Sequence, residues 1–464
     1  MHDYDGFLAS KHVEAQRFGL TDLPSLDQYP LFPFQRDIVQ WALRQGRAAL
    51  FEECGLGKTL QFLSWTDALV RSGEVSRALI LAPLAVAQQI VREGDKFGIK
   101  VAYARDQSEV TGSITVTNYE RLERFDTNAF QAVVLDESSI LKAFMGATKR
   151  RILESFAATR FKLACTATPA PNDHLELGNH GEFLGIMSSH EMIARWFIND
   201  TTQMGTYRLK HYAVESFWNW VTTWARCVGR PSDMGYEDGG FNLPDLHEHT
   251  HELTVDIVNG RTDGMLFRIP DLSATNVHQE RKRTATERAQ VIGRVIAAEP
   301  DEPWLIWCET DYEADAVAHA IPDVVDVRGS DSLEHKEEAL MGFVTGKVKR
   351  LVTKPRLAGF GMNFQHCARV AFIGPTFSYE QHYQAVRRVW RFGQTRPVHV
   401  HMPLASTETG IWEVMRAKRK AHETMQESMF AAARRAQTNQ ASSPNYNPRH
   451  IGRLPAWLKT KEAA

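Results

Sequence analysis

Apolar residues in this chain gather into short runs that read as strands. In the first half the runs are Ala48–Phe51, Ala78–Ala82, Ile114–Thr117, Ala132–Leu135 and Phe161–Thr166, with helical spacing between them. A strand buried on both faces carries such a run, and strands that alternate with helices predict a doubly wound parallel sheet. A second unit of this kind opens with a helix over Thr284–Ala298 and continues through strands at Trp304–Cys308, Leu351–Thr353, Val370–Ile373 and Val398–Met402. Between the two units the texture changes: Trp196, Trp218, Trp220 and Trp224 stand among polar residues, and the glycine-rich stretch Gly235–Phe241 follows. Phe217, Trp220 and Trp224 recur at helical spacing, which predicts core packing of a helical insertion over a base-stacking surface. The expected fold is α/β: two doubly wound parallel-sheet lobes in tandem with a helical insertion between them. The expected segments are a lead-in at 1–28, a first lobe at 29–188, an insertion and connection at 189–280, a second lobe at 281–430 and a flexible tail at 431–464. Ser, Asn and Pro accumulate after Thr438, and Leu454–Leu458 is expected to dock on the body or on a protein partner.

The chemistry concentrates at the ends of these runs. After Ala48–Phe51 comes Glu52-Glu53-Cys54-Gly55-Leu56-Gly57-Lys58-Thr59, followed by a helical pattern through Leu60, Phe62, Leu63 and Trp65. Gly55 and Gly57 let the backbone curl so that successive N–H groups face phosphate oxygens at a helix N-terminus. Lys58 would reach the β- and γ-phosphates of a nucleotide, and the Thr59 hydroxyl would ligate Mg²⁺. The run Ala132–Leu135 ends in Asp136 and Glu137, where Asp136 would hold Mg²⁺ and Glu137 would orient and deprotonate an attacking water. Far downstream, Arg388 and Arg391 lie three apart, with Gln384 one turn earlier. On a helix they share a face, as an arginine finger acting on a transferring phosphoryl group requires.

Those segments, in that order, resemble the superfamily-two helicases, and most closely the Swi/Snf-type DNA translocases. Over roughly residues 30–415, Phe34-Gln35 looks like the adenine-reading glutamine motif, and Glu52 to Thr59 like Asp-Glu-Met-Gly-Leu-Gly-Lys-Thr. Leu81-Ala82-Pro83-Leu84 and Thr117-Asn118-Tyr119-Glu120 resemble motifs that grip DNA phosphates. Thr166-Ala167-Thr168-Pro169 resembles the motif that couples hydrolysis to DNA, and Leu305–Cys308 the first strand of the second lobe. Gly359-Phe360-Gly361-Met362-Asn363 resembles Gly-Val-Gly-Leu-Asn, and Arg-x-x-Arg-x-Gly-Gln ends at Gln394. The resemblance implies two RecA-like lobes and ATP with Mg²⁺ as cofactors. It implies nucleotide contacts from Gln35 and Gly361, nucleic-acid contacts at Pro83, Thr117, Thr353 and Lys354, and coupling through Thr166 and Thr168. The partner would be DNA, duplex favoured, and the activity translocation or remodelling, with strand separation as the alternative. Two departures stand out: Ser138-Ser139 follow the acidic pair where the family usually has His, and Trp390 replaces a customary His in the arginine motif.

Two other classes compete. His247-Glu248-His249-Thr250-His251 matches the His-Glu-x-x-His pattern of zinc proteases, which needs a helix. Pro244 upstream and the β-branched residues downstream predict a strand instead. A DNA-binding loader without ATPase activity is opposed by the presence of Lys58, Asp136, Glu137, Arg388 and Arg391 together.

Composition fits a globular enzyme: 464 residues, 43% apolar and 24% charged. No apolar run is long enough to span a bilayer, and residues 1–5 lack a cationic, apolar leader. The five cysteines show no paired spacing, so a reduced, cytoplasmic protein is expected. A net charge of −2 means that nucleic-acid binding must use local basic surface. Candidates are Lys347, Lys349, Arg350, Lys354 and Arg356; Arg281, Lys282 and Arg283; and Arg416, Lys418, Arg419 and Lys420.

Overall fold

The computed structural model of the protein describes residues 14–83, 86–142, 146–170, 173–199, 207–253, 274–355, 357, 363–375 and 378–441. Among these residues the first lobe is built on strands β1 (Arg47–Glu52), β2 (Ala78–Ala82), β3 (Ala102–Tyr103), β4 (Ile114–Asn118), β5 (Ala132–Asp136) and β6 (Phe161–Thr166). Five of these strands, all but β3, are the runs marked in the sequence, and each of the five is buried on both faces, whereas β3 is half-buried. In β1, Ala48 and Leu50 enter one apolar layer while Ala49 and Phe51 enter the other.

The expected insertion is partly built into this lobe. A helix at Ser189–Trp196 leads to an antiparallel hairpin of β7 (Phe197–Asn199) and β8 (Tyr207–Leu209), then to a helix at Val214–Trp224. The next strand, β9 (Ala225–Val228), pairs in parallel with β1, giving a seven-stranded sheet of order β3-β4-β2-β5-β6-β1-β9. Trp218, Trp220 and Trp224 are buried in the same core, and Trp196 stacks on Trp220 with ring centroids 4.8 Å apart.

The second lobe has a six-stranded parallel sheet of β10 (Leu246–Leu253), β11 (Trp304–Trp307), β12 (Val324–Val327), β13 (Arg350–Thr353), β14 (Arg369–Phe372) and β15 (Val398–Ala405), in the order β10-β15-β14-β11-β13-β12. The segment His247–His251 therefore lies on an edge strand, as its β-branched surroundings predict. On a strand its two end histidines cannot meet the protease glutamate in the required helical geometry.

The Thr409–Ala441 helix leaves the second lobe and returns to the first. Met425, Met429, Ala432 and Ala433 bury themselves beside the Val214–Trp224 helix, and Arg434 pairs with Asp233 at 2.7 Å. The tail expected from residue 431 thus begins inside an ordered helix. The apolar side chains it offers every third or fourth position explain why it packs. The segment Leu454–Leu458 lies outside the described residues. No helix among the described residues is long and apolar enough to cross a membrane.

Candidate active site

Strand β1 ends in the glycine loop, and the loop's geometry depends on both glycines. Gly57 caps the Lys58–Arg71 helix at φ +81°, and a Cβ there would fall 2.4 Å from Gln35 Nε2. Gly55, at φ +95°, lies so close to Phe392 of the second lobe that a Cβ would meet its backbone N at 2.9 Å. These left-handed angles and close approaches admit only glycine. Gln35 holds the loop from outside: its Nε2 donates to Leu56 O at 2.7 Å and its Oε1 accepts from Phe32 N at 2.9 Å. Lys58 Nζ donates to the carbonyls of Glu52 and Glu53, at 2.7 and 3.0 Å.

The two glutamates that open the loop meet different fates. Glu52 is buried, with Oε2 accepting from Gln61 Nε2 at 2.7 Å and Oε1 lacking a partner. Burial, only partly offset by Lys58, pushes its carboxyl up to about 7. Burial also opposes ionisation of Glu53, but Arg387, Tyr383 and Gln426 outweigh it and hold its pKa below the ordinary value. Tyr383 Oη donates to Glu53 at 2.5 Å, Gln426 Nε2 donates at 2.6 Å, and Arg387 forms a short ion pair with it.

Strand β5 delivers the acidic pair. Tyr119 Oη donates to the Asp136 carbonyl at 2.7 Å, and Glu137 sits at φ +53°, a left-handed conformation that turns its side chain out of the strand line. Burial raises both carboxyls, and the Glu137 charge raises Asp136 further, while Lys58 and Arg388 act in the opposite direction. Thr166 Oγ1, at the end of β6, donates to Glu137 Oε2 at 3.5 Å and accepts from Thr168 N at 3.0 Å. Thr168 Oγ1 then donates to Glu380 Oε1 at 3.4 Å, and Glu380 forms a short ion pair with Lys142. Ser138, next to Ser139 at the position of the customary His, meets a buried His180: Oγ and Nε2 are 3.0 Å apart. Burial drives that imidazole down to about 4, so it is neutral.

The second lobe closes the site. Gln384 belongs to the Tyr379–Val386 helix, but the helix ends there, so Arg388 and Arg391 do not share a helical face as expected. The chain continues as turns to Gly393 at φ +90°, fixed in part by Trp390 Nε1 donating to Pro244 O at 2.7 Å. Even so, both arginines reach the cleft. Arg391 donates to Asn363 Oδ1, keeps Nε unpaired, and is lowered by burial to about 10. A cavity of about 580 Å³ between the lobes is lined by Gln35, Gly55, Gly57, Lys58, Thr59, Asp136 and Glu137 on one side. Gln384, Arg387, Arg388 and Arg391 line the other.

Other expected contacts are not brought to a surface. Thr117 and Thr353 are fully buried, and their hydroxyls donate inward to Ala104 O at 2.8 Å and Val327 O at 3.0 Å. Neither side chain presents a phosphate contact in this structure, because each is spent on its own sheet. Lys354 pairs with Asp311 at 2.7 Å, and Arg281 is buried against Glu309 and Glu313, both at 2.6 Å. Pro83 stands half-buried just beyond β2. Gly361 and Arg356 lie outside the described residues. Sequence reasoning missed Arg387, Glu53, Tyr383, Glu380 and His180. Only the Arg-Arg doublet and the Glu-Glu doublet hinted at two of them, since partners from 42 to 334 residues apart leave no local pattern.

A family model described as the SNF2-related domain matches residues 34–219, and one described as the helicase conserved C-terminal domain matches residues 287–393. The chain is 27% identical over 210 residues to "Helicase domino" of Drosophila melanogaster, covering 40% of this chain and 6% of that protein. It is 28% identical over 166 residues to "DNA annealing helicase and endonuclease ZRANB3" of Mus musculus, covering 32% of this chain and 15% of that protein. It thus spans less than a fifth of the length of these relatives. Among solved structures, "Sulfolobus solfataricus SWI2/SNF2 ATPase core in complex with dsDNA" aligns at 18% identity and a TM-score of 0.43. That alignment covers 90% of this chain and 97% of the other. With both models matched in order, across more than half of its length, the chain belongs to the Swi/Snf-type branch of the superfamily-two helicases.

Proposed function

We propose that the protein is an ATP-dependent DNA translocase that hydrolyses ATP in the inter-lobe cleft and tracks along a duplex. The observation that carries this reading is the single cavity lined by Lys58, Thr59, Asp136 and Glu137 from one lobe and by Arg388 and Arg391 from the other. In this reading residues 29–188 and 281–430 supply the two halves of one site. The residues fit a magnesium nucleotide: two carboxyls raised by burial sit beside a lysine and the mouth of a helix, and they favour a cation between them. Thr59 and Asp136 would hold Mg²⁺, which when bound neutralises charge on the β- and γ-phosphates. Lys58 would exchange its carbonyl partners for phosphate oxygens. Glu137 would take the proton of the attacking water, and Arg388 and Arg391 would stabilise charge as it spreads over the transferring group. Gln35, fixed against the loop, would present its remaining amide valences to the adenine edge.

The contact series from Glu137 through Thr166 and Thr168 to Glu380 supports a coupling route, because it joins the proposed base to the opposite lobe. Pro83 and Lys354 remain the proposed phosphate contacts. The deciding experiment measures ATPase rate against single-stranded, duplex and forked DNA and against RNA, together with triplex displacement and fork opening. Duplex-stimulated hydrolysis with triplex displacement is expected. Strand separation on the fork without triplex displacement would make the protein an unwinding helicase instead.

A further inference from the structure

The edge of the second sheet carries five histidines on one face. Residues two apart on a strand point the same way, so His247, His249 and His251 of β10 share a face, as do His399 and His401 of β15. The parallel register sets His247 beside His399 and His249 beside His401. The rings interleave: His249 and His399 are nearly coplanar in stack at 5.2 Å, and His249 and His401 stack at 4.5 Å. His249 Nε2 lies 3.0 Å from His399 Nδ1, and His251 Nε2 lies 3.0 Å from His401 Nδ1. One ring nitrogen each from His249, His399 and His401 falls within 4.8 Å of the other two. Ligands at ~2.0–2.1 Å around a tetrahedral ion are separated by ~3.3 Å, so small ring rotations would bring the three onto one centre.

We propose that His249, His399 and His401 form a binding site for a borderline divalent transition metal, Zn²⁺ foremost, at the outer edge of the second lobe and apart from the ATP cleft. Imidazole nitrogens select this class of ion over Mg²⁺ or Ca²⁺, which prefer oxygen. The three residues are only half-buried, so an ion has an approach from solvent and a fourth position for water. The charged groups that face the cluster, Glu299 and Arg369, are paired with each other at 2.5 Å. A bound ion would clamp edge strand β10, through which the chain enters the second lobe, onto β15.

The test uses the full chain stripped with a chelator and then titrated with Zn²⁺ against a chromophoric competitor. One ion per chain is expected, with a rise in the unfolding midpoint. His399→Gln and His401→Gln should each lower affinity by more than ~100-fold, beyond the loss that outer-shell partners alone produce, while His247→Gln leaves it unchanged. Co²⁺ bound to the unaltered protein should give visible ligand-field absorption without thiolate charge transfer, which separates the histidines from the five cysteines. Absence of stoichiometric binding, a thiolate band, or undiminished affinity in both His399→Gln and His401→Gln would overturn the assignment.

Discussion

On the first-lobe wall of the cleft the charged groups are mainly carboxyls that burial holds toward their neutral forms, while the second-lobe wall presents guanidiniums. Asp136 and Glu137 have raised pKa values, and Arg391 opposite them has a lowered one. Each wall alone therefore carries groups in an unfavourable charge state, and each would be eased by the charge of the other or of a ligand between them. Glu53 and Arg387 show the satisfied case: paired across the cleft, both shift toward their ionised forms despite burial. The difference teaches that the lobes are latched where charges pair, at Glu53–Arg387 and Lys142–Glu380, and left electrostatically open where phosphates would sit.

The largest expected effect comes from removing the open charges of the second wall. Arg388→Ala should cut DNA-stimulated hydrolysis by about 10³-fold or more while ATP affinity changes little, because the guanidinium serves the developing charge. Equal losses in affinity and turnover would mean that the arginine binds ground-state nucleotide only. On the first wall, Glu137→Gln should keep nucleotide binding and slow hydrolysis by about 10²–10⁴-fold. Single-turnover rates near those of the unaltered protein would show that another group takes the proton.

Breaking the latch should cost stability before it costs chemistry. Arg387→Ala leaves Glu53 buried without its cation, which is worth about 3–5 kcal/mol. Urea denaturation should show this loss, and pairing the change with Glu53→Gln should recover part of it; additive losses would mean that the two residues are not coupled. Glu52 gives the smallest effect and an opposite sign. An unfolded-chain glutamate titrates near ~4.3, whereas folding pushes Glu52 up to about 7. Between those values the folded protein keeps a proton that the unfolded chain has lost, so this group makes stability fall as pH rises through that window and then level off. Glu52→Gln should remove the slope and stabilise the protein at pH 8 by on the order of 3 kcal/mol, with little effect below pH 4. Equal effects at both pH values would show that Glu52 is not titrating in this range.

What the sequence made legible was whatever burial writes continuously along the chain. Strands β1, β2, β4, β5 and β6 are short runs rich in apolar residues, and the glycine loop and acidic pair sit where such strands end. Strand β10 was harder to see as core structure, because only Leu253 of its eight residues is buried. The alternation of histidines with polar residues there serves an edge. Helix termination at Val386 was invisible because Arg387 to Trp390 are all compatible with a further turn, and the turns that follow are held in part by a contact with Pro244 far off in sequence. The inward turn of Thr117 and Thr353 shows a limit of motif spacing, which locates a residue on a strand but does not say which carbonyl has claimed its hydroxyl. The Glu53–Arg387 pair joins positions 334 residues apart and could be read only from the folded chain.

The Thr409–Ala441 helix has a mechanical consequence. The chain crosses from the first lobe to the second between β9 and β10, and this helix carries it back to pack beside β9 and the Val214–Trp224 helix. Two rigid bodies joined at a single point can swing and swivel freely, but two bodies joined at two separated points keep only rotation about the line between them. At ~1.5 Å per residue a helix of 33 residues is about 50 Å long, a stiff second attachment rather than a slack tether. If the cleft opens, two attachments would confine the motion to a door-like turn about one axis, and closure would return Arg388 and Arg391 to the same place opposite the loop.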